Sequence, residues 1–109
     1  TKTAKVLVAR TGNANYLKAL RQRMKDAQID SEDESAENEA LVTSLIVETM
    51  AESILLGWKG LQYKGQELAY SKGNAKMLLE VKGFRKRIND ISDKLESFRV
   101  RDEAEQKNA

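Results

Sequence analysis

The spacing of apolar residues changes along the chain, and each change marks a boundary between elements. Residues 5–9 (Lys-Val-Leu-Val-Ala) are a short apolar entry rich enough in β-branched side chains to be extended, and Thr11-Gly12-Asn13 breaks it. Asn13 or Asn15 can cap the helix that follows by accepting from its orphan N–H groups. In that helix Leu17, Leu20, Met24 and Ala27 recur at helical spacing, while Lys18, Arg21, Gln22 and Lys25 take the opposite face. The pattern predicts an amphipathic helix over residues 14–28.

A polar stretch without apolar periodicity follows, and residues 29–35 are expected to form an acidic linker. The second helix starts at Ser35, a suitable N-cap. Asn38 stands where a capping box would place Glu or Gln, and Glu37 and Glu39 complement the dipole of the first turn. The apolar run then extends from Leu41 to Leu56, predicting a helix apolar nearly all round, which needs cover on more than one side. Gly57 suits the left-handed position after its last turn. Trp58 reads as a lid on the core or as an anchor between chains.

Lys64-Gly65, between Leu61-Gln62-Tyr63 and the segment ending at Tyr70, predicts a small β-hairpin. Ser71 caps a short helix carrying Ala75, Met77, Leu78 and Val81. Gly83 breaks or bends the chain before a long final helix. Met77, Val81, Phe84, Ile88, Ile91, Leu95 and Phe98 then alternate spacings of four and three, a coiled-coil-like seam. Such a seam serves packing within one bundle as well as contacts between chains. Past Phe98 the apolar residues give out, and residues 103–109 are expected to fray. The expected fold is mostly α: one domain over residues 1–109, about four helices, a hairpin between the second and third, and a long C-terminal helix.

Composition narrows the chemistry. The 109 residues contain neither cysteine nor histidine, so disulfides and mechanisms built on a thiol or an imidazole are excluded, and zinc, haem and iron–sulfur sites lose their usual ligands. Glu48 and Glu52 lie one turn apart, but as flanking surface residues they explain themselves without a metal, and no cofactor is expected. The glycines around Lys59 and Lys64 do not follow P-loop order. The chain is not expected to be an enzyme. No apolar stretch is long enough to cross a bilayer, and no signal-peptide pattern opens the chain, so a cytoplasmic setting is the default.

The net charge of +2 conceals segregation. Charges up to Lys25 are all basic, and residues 30–39 carry Asp30, Glu32, Asp33, Glu34, Glu37 and Glu39 with no base. Opposite blocks can pair within the fold or between copies stacked head to tail. A DNA-binding or transcription-regulating helical protein is the alternative, with Arg21, Arg23, Lys25 and Lys82, Arg85, Lys86, Arg87 facing phosphates. The acidic run opposes that alternative, and nucleic acid is the less favoured partner.

Three stretches resemble the tail assembly chaperones of long-tailed, siphovirus-type bacteriophages. One is Ala9-Arg10-Thr11-Gly12-Asn13-Ala14-Asn15-Tyr16 running into the basic helix Leu17–Met24. Another is Ile54-Leu55-Leu56-Gly57-Trp58-Lys59-Gly60-Leu61. The last is Gly65 with Leu68, Tyr70, Ser71, Asn74-Ala75 and Leu78-Leu79. They span most of residues 9–98 in the family's order, and the acidic stretch is long against that pattern. The resemblance implies a helical, non-enzymatic protein of the host bacterial cytoplasm that coats the aggregation-prone tape measure protein. It is displaced as the tail tube polymerises and is absent from the mature virion. It also implies the major tail protein as a partner of a longer, frameshifted form, whose extension this sequence does not show. Combined with the surplus apolar surface, it predicts an open, spiral homo-oligomer holding client helices in a groove. The expected contact residues, for self or client, are Phe84, Ile88, Ile91, Leu95 and Phe98, then Ile46, Met50 and Trp58.

Overall fold

The computed structural model describes the backbone of residues 4–107 and the side chains of residues 4–97. Its elements run β1 (Lys5–Val8), α1 (Ala14–Asp26), α2 (Ala36–Ser53), β2 (Leu55–Lys59), β3 (Gln62–Tyr63), β4 (Gln66–Glu67), α3 (Lys72–Leu79) and α4 (Lys82–Lys107). Over the described residues the chain is mostly α, with four helices and two small antiparallel sheets.

Local capping chemistry sets most helix starts. Asn13 Oδ1 accepts from the Tyr16 N–H at 2.9 Å, Ser35 Oγ from Asn38 at 3.2 Å, and Ser71 Oγ from Asn74 at 3.0 Å. The Asn38 side chain does not return the bond to its N-cap residue, as a capping-box Glu would. Its Nδ2 donates instead to the carbonyls of Asp30 and Asp33, tying the preceding acidic turn to α2. α1 stops two residues short of the expected 28. Its C-cap is Ala27, and Gln28 adopts a left-handed backbone with φ of 54°.

The second helix departs most from expectation. It ends at Ser53, not Leu56, and Leu55–Lys59 is a strand paired antiparallel with β1. The stop is imposed from far along the chain. Asn13 Nδ2 donates to the Ser53 carbonyl at 3.3 Å, and the Ala9 N–H donates to the Ile54 carbonyl at 2.8 Å. These bonds satisfy acceptors that a helix end leaves orphaned. Gly57 is therefore no helix cap; it sits in mid-strand opposite Leu7. The register runs Lys5↔Lys59, Val6↔Trp58, Leu7↔Gly57, then slips so that Val8 faces Leu55 and Leu56 is the extra residue of a bulge.

The predicted hairpin is present as β3 and β4, with Lys64 and Gly65 both at positive φ (52° and 80°), the twist a two-residue turn requires. The break before the last helix comes at Glu80 and Val81. Gly83 lies inside the first turn of α4 and neither breaks nor bends the chain.

The core joins one side of α2 (Val47, Met50, Ala51) and Ile54 to Leu55 and Trp58 of β2, to Ala75, Leu78 and Leu79 of α3, and to Ile88 of α4. α1 lies on the outside of α2 and contributes no fully buried residue.

Candidate functional surfaces

The segment from Ala9 to Tyr16 is a clamp between α1, α2 and α4. Ser92, fully buried on α4, donates from Oγ to the Ala9 carbonyl at 2.6 Å. One turn on, Arg10 Nη1 meets Glu96 Oε2 at 3.0 Å, and Thr11 Oγ1 donates to Asp93 Oδ1 at 3.1 Å. Gly12 lies against the Glu96 carboxylate, where a Cβ would collide and displace it from Arg10. Tyr16 packs against the core, and burial, reinforced by Asp93, raises its phenol pKa. Arg10, Gly12, Asn13 and Tyr16 thus fasten the N-terminal segment to two helices.

The second group of motif residues closes the other end of the core. Trp58 is buried, and its Nε1 donates to the Leu68 carbonyl at 2.7 Å. Tyr70 stands edge-on to it, ring centroids 4.9 Å apart, and donates from its hydroxyl to the Leu55 carbonyl at 2.8 Å. Trp58 is accordingly a lid on the core. Gly65 makes the hairpin turn and Ser71 caps α3.

The seam of α4 divides in two. Ile88 is buried and Phe84 half-buried against the core, but Ile91 and Leu95 remain 38% and 43% exposed. The Phe98 side chain lies outside the described residues. A groove of about 250 Å³ runs beside this seam, lined by Val6 and Leu61 and, on α4, by Phe84, Arg87, Ile88 and Ile91. Of the other expected contact residues, Met50 is fully buried and Ile46 half-buried against the core. The structure therefore brings Ile91 and Leu95 together on an open surface and places Met50, Ile88 and Trp58 inside the protomer.

Several charges have structural employment. Arg23 reaches from α1 to α2, with Nη2 2.6 Å from Glu52 Oε1, Nη1 donating to Thr49 Oγ1 at 3.0 Å, and Nε 3.9 Å from Glu48. Its pKa is raised, chiefly by the hydrogen bond to Glu52. Glu48 and Glu52 are thus counter-ions to an arginine. Among the described residues no cluster of acidic side chains is arranged to hold a metal. Arg85 donates to the carbonyls of Leu79 and Glu80 at the C-terminal end of α3, where a cation also suits the dipole. Among the described residues no helix is long and apolar enough to cross a membrane.

Sequence reasoning missed one surface altogether, the outer face of the β1–β2 ribbon. Lys5 and Leu7 lie on it opposite Lys59 and Gly57, and Leu7 is 61% exposed. A groove of about 420 Å³ opens beside it, lined by Lys5, Leu7, Gly57 and Lys59 of that face and by Val6, Trp58 and Tyr70 from the core side. The signal was the β-branched apolar run Val6-Leu7-Val8. An extended segment of that kind needs a partner strand for its backbone groups. Gly57-Trp58, poor helix formers both, supplied the place for one.

No curated protein and no solved structure shows significant similarity to the chain. Residues 11–108, which hold all four helices, the buried core and the α4 seam, match a bacteriophage-derived family, and the chain belongs to the YdaY prophage proteins.

Proposed function

We propose that the chain is a non-enzymatic assembly chaperone for phage tails. It self-associates in the host cytoplasm and coats the tape measure protein, keeping that long helical client soluble until the tail tube forms around it. The observation that carries this reading is the half-packed seam. Ile91 and Leu95 continue the periodicity of Phe84 and Ile88 onto open surface, beside an apolar groove. An amphipathic helix laid along α4 would insert its own apolar residues there, helix-in-groove fashion. The resemblance of the Arg10–Tyr16, Gly57–Trp58 and Gly65–Ser71 motifs to tail assembly chaperones supports the same conclusion, and prophage family membership supports a phage protein.

The test is co-expression of the chain with the tape measure protein of the same phage, scoring soluble client. Wild type should keep the client in solution and co-purify with it. Ile91→Asp combined with Leu95→Asp should keep its circular dichroism, because both side chains already meet water, yet lose the client. A double variant that still solubilises the client would overturn the reading. So would a wild-type chain that ignores the client and binds duplex DNA with an affinity falling steeply with salt.

A further inference from the structure

The β1–β2 ribbon bears an arrangement that nothing inside the chain uses. Lys5 and Lys59 stand directly opposite each other across an antiparallel pair, where like charges repel. Neither lysine forms an ion pair among the described residues. The same face carries Leu7 and the groove beside it, and the bulge leaves Leu56 44% exposed nearby. The surface is apolar with a cationic rim.

A surface of opposite character lies at the other end of α2. Glu32, Glu34, Glu37 and Glu39 are exposed and have no cation within ion-pair distance among the described residues. Leu41, one turn after Glu37 and so on the same helix face, is 43% exposed. Hydrogen bonds from Glu32 and Ser35 to the carboxylates of Asp30 and Asp33, with those of Asn38, hold the acidic turn in one shape. Glu37 and Ile54 are separated by about 26 Å of helical rise, so the acidic turn and the start of β2 lie at opposite ends of α2, and no ion pair joins them among the described residues.

We propose that the ribbon of one copy receives the acidic start of α2 from a second copy. Leu41 enters the groove beside Leu7, and Glu34 and Glu37 lie against Lys5 and Lys59. The two surfaces differ and sit at opposite ends of α2, so the contact is heterologous and repeats from copy to copy without closing. This inference rests on the self-association in the proposed function and assigns it a surface separate from the client seam on α4.

Paired charge reversal tests it without any client. Lys5→Glu/Lys59→Glu (ribbon variant) and Glu34→Lys/Glu37→Lys (turn variant) are purified separately, checked for wild-type circular dichroism, and weighed by light scattering. Wild type should grow in mass with concentration, and raising the salt should weaken that growth about tenfold or more. Each variant alone should remain monomeric, since each meets only its own sign. Mixed one to one, they should regain assembly, because each then offers the other a complementary surface. Gly57→Val adds a charge-neutral probe. The added Cβ meets only Leu7, at 3.8 Å, so the strand accepts it, while the larger side chain fills the groove and should block assembly. A wild type that stays monomeric, a turn variant that assembles normally, or folded variants that fail to restore each other would overturn the proposal. Client solubilisation by these variants reads the α4 seam independently.

Discussion

Ile88→Ala and Ile91→Ala separate the two halves of the α4 seam. The residues are three apart on one helix and chemically identical, but one is 2% exposed and the other 38%. Truncation of isoleucine to alanine removes three carbons, worth about 0.8 kcal/mol each when buried, or about 2.4 kcal/mol. At Ile88, walled in by the core, an unfilled cavity adds on the order of 1 kcal/mol, for a total of about 3.5 kcal/mol. At Ile91 no closed cavity forms and only part of the transfer energy is lost, about 1 kcal/mol or less. In a domain of this size each kcal/mol moves Tm by roughly 4–8 °C. Ile88→Ala should therefore melt roughly 14–28 °C below wild type, and Ile91→Ala within about 8 °C of it. The assay is thermal unfolding by far-ultraviolet circular dichroism, at a dilution where light scattering finds one species for all three proteins. Equal losses at the two positions would show that the seam is packed throughout within the protomer. The argument for an open client surface would then fail.

Tyr70→Phe removes the hydroxyl that donates to the Leu55 carbonyl and should cost about 1 kcal/mol; an unchanged Tm would show that this bond adds nothing net. Ser92→Ala leaves the Ala9 carbonyl without its buried donor and should cost about 1–2 kcal/mol. Hydrogen exchange should quicken at β1 amides first, and uniform acceleration throughout the chain would count against a local clamp. The Asp33 carboxyl, accepting from the Ser35 N–H, is held below its ordinary pKa. A lowered folded-state value means that its contribution is full above the ordinary aspartate range and is lost as pH falls through the lowered value. The Ser35 amide resonance should follow that titration and should cease to follow it in Asp33→Asn.

The sequence disclosed what local rules decide. Asn13, Ser35 and Ser71 announce their helices because a cap needs only one side-chain oxygen and the N–H two or three residues on. Lys64-Gly65 announces a turn for an equally local reason. The end of α2 was hidden because the groups that stop it, Asn13 and Ala9, lie some 40 residues away in sequence. Read alone, Ile54-Leu55-Leu56 continues the helix; paired with β1, it turns into the ribbon. The heptad spacing on α4 was legible as a seam, but not its division between Ile88 and Ile91. That division depends on where the neighbouring elements run out, and periodicity carries no record of it.

A chaperone that must later be displaced is constrained in how strongly it may hold anything. In the arrangement proposed here each copy divides its contacts among three small patches, the cationic ribbon, the acidic turn and the α4 seam. A patch well below the share of about 800 Å² per partner that a standard stable interface buries would hold neither its neighbour nor its client for long. Repetition changes the balance. A row of copies presents equivalent seams to one long helical client, and the contacts reinforce each other through effective concentration. Removal from one end then breaks a few weak contacts at a time, at a cost that does not grow with the length of the row. Stronger individual contacts would give a better solubiliser and a poorer scaffold, because the polymerising tube would have to displace every copy against its full affinity.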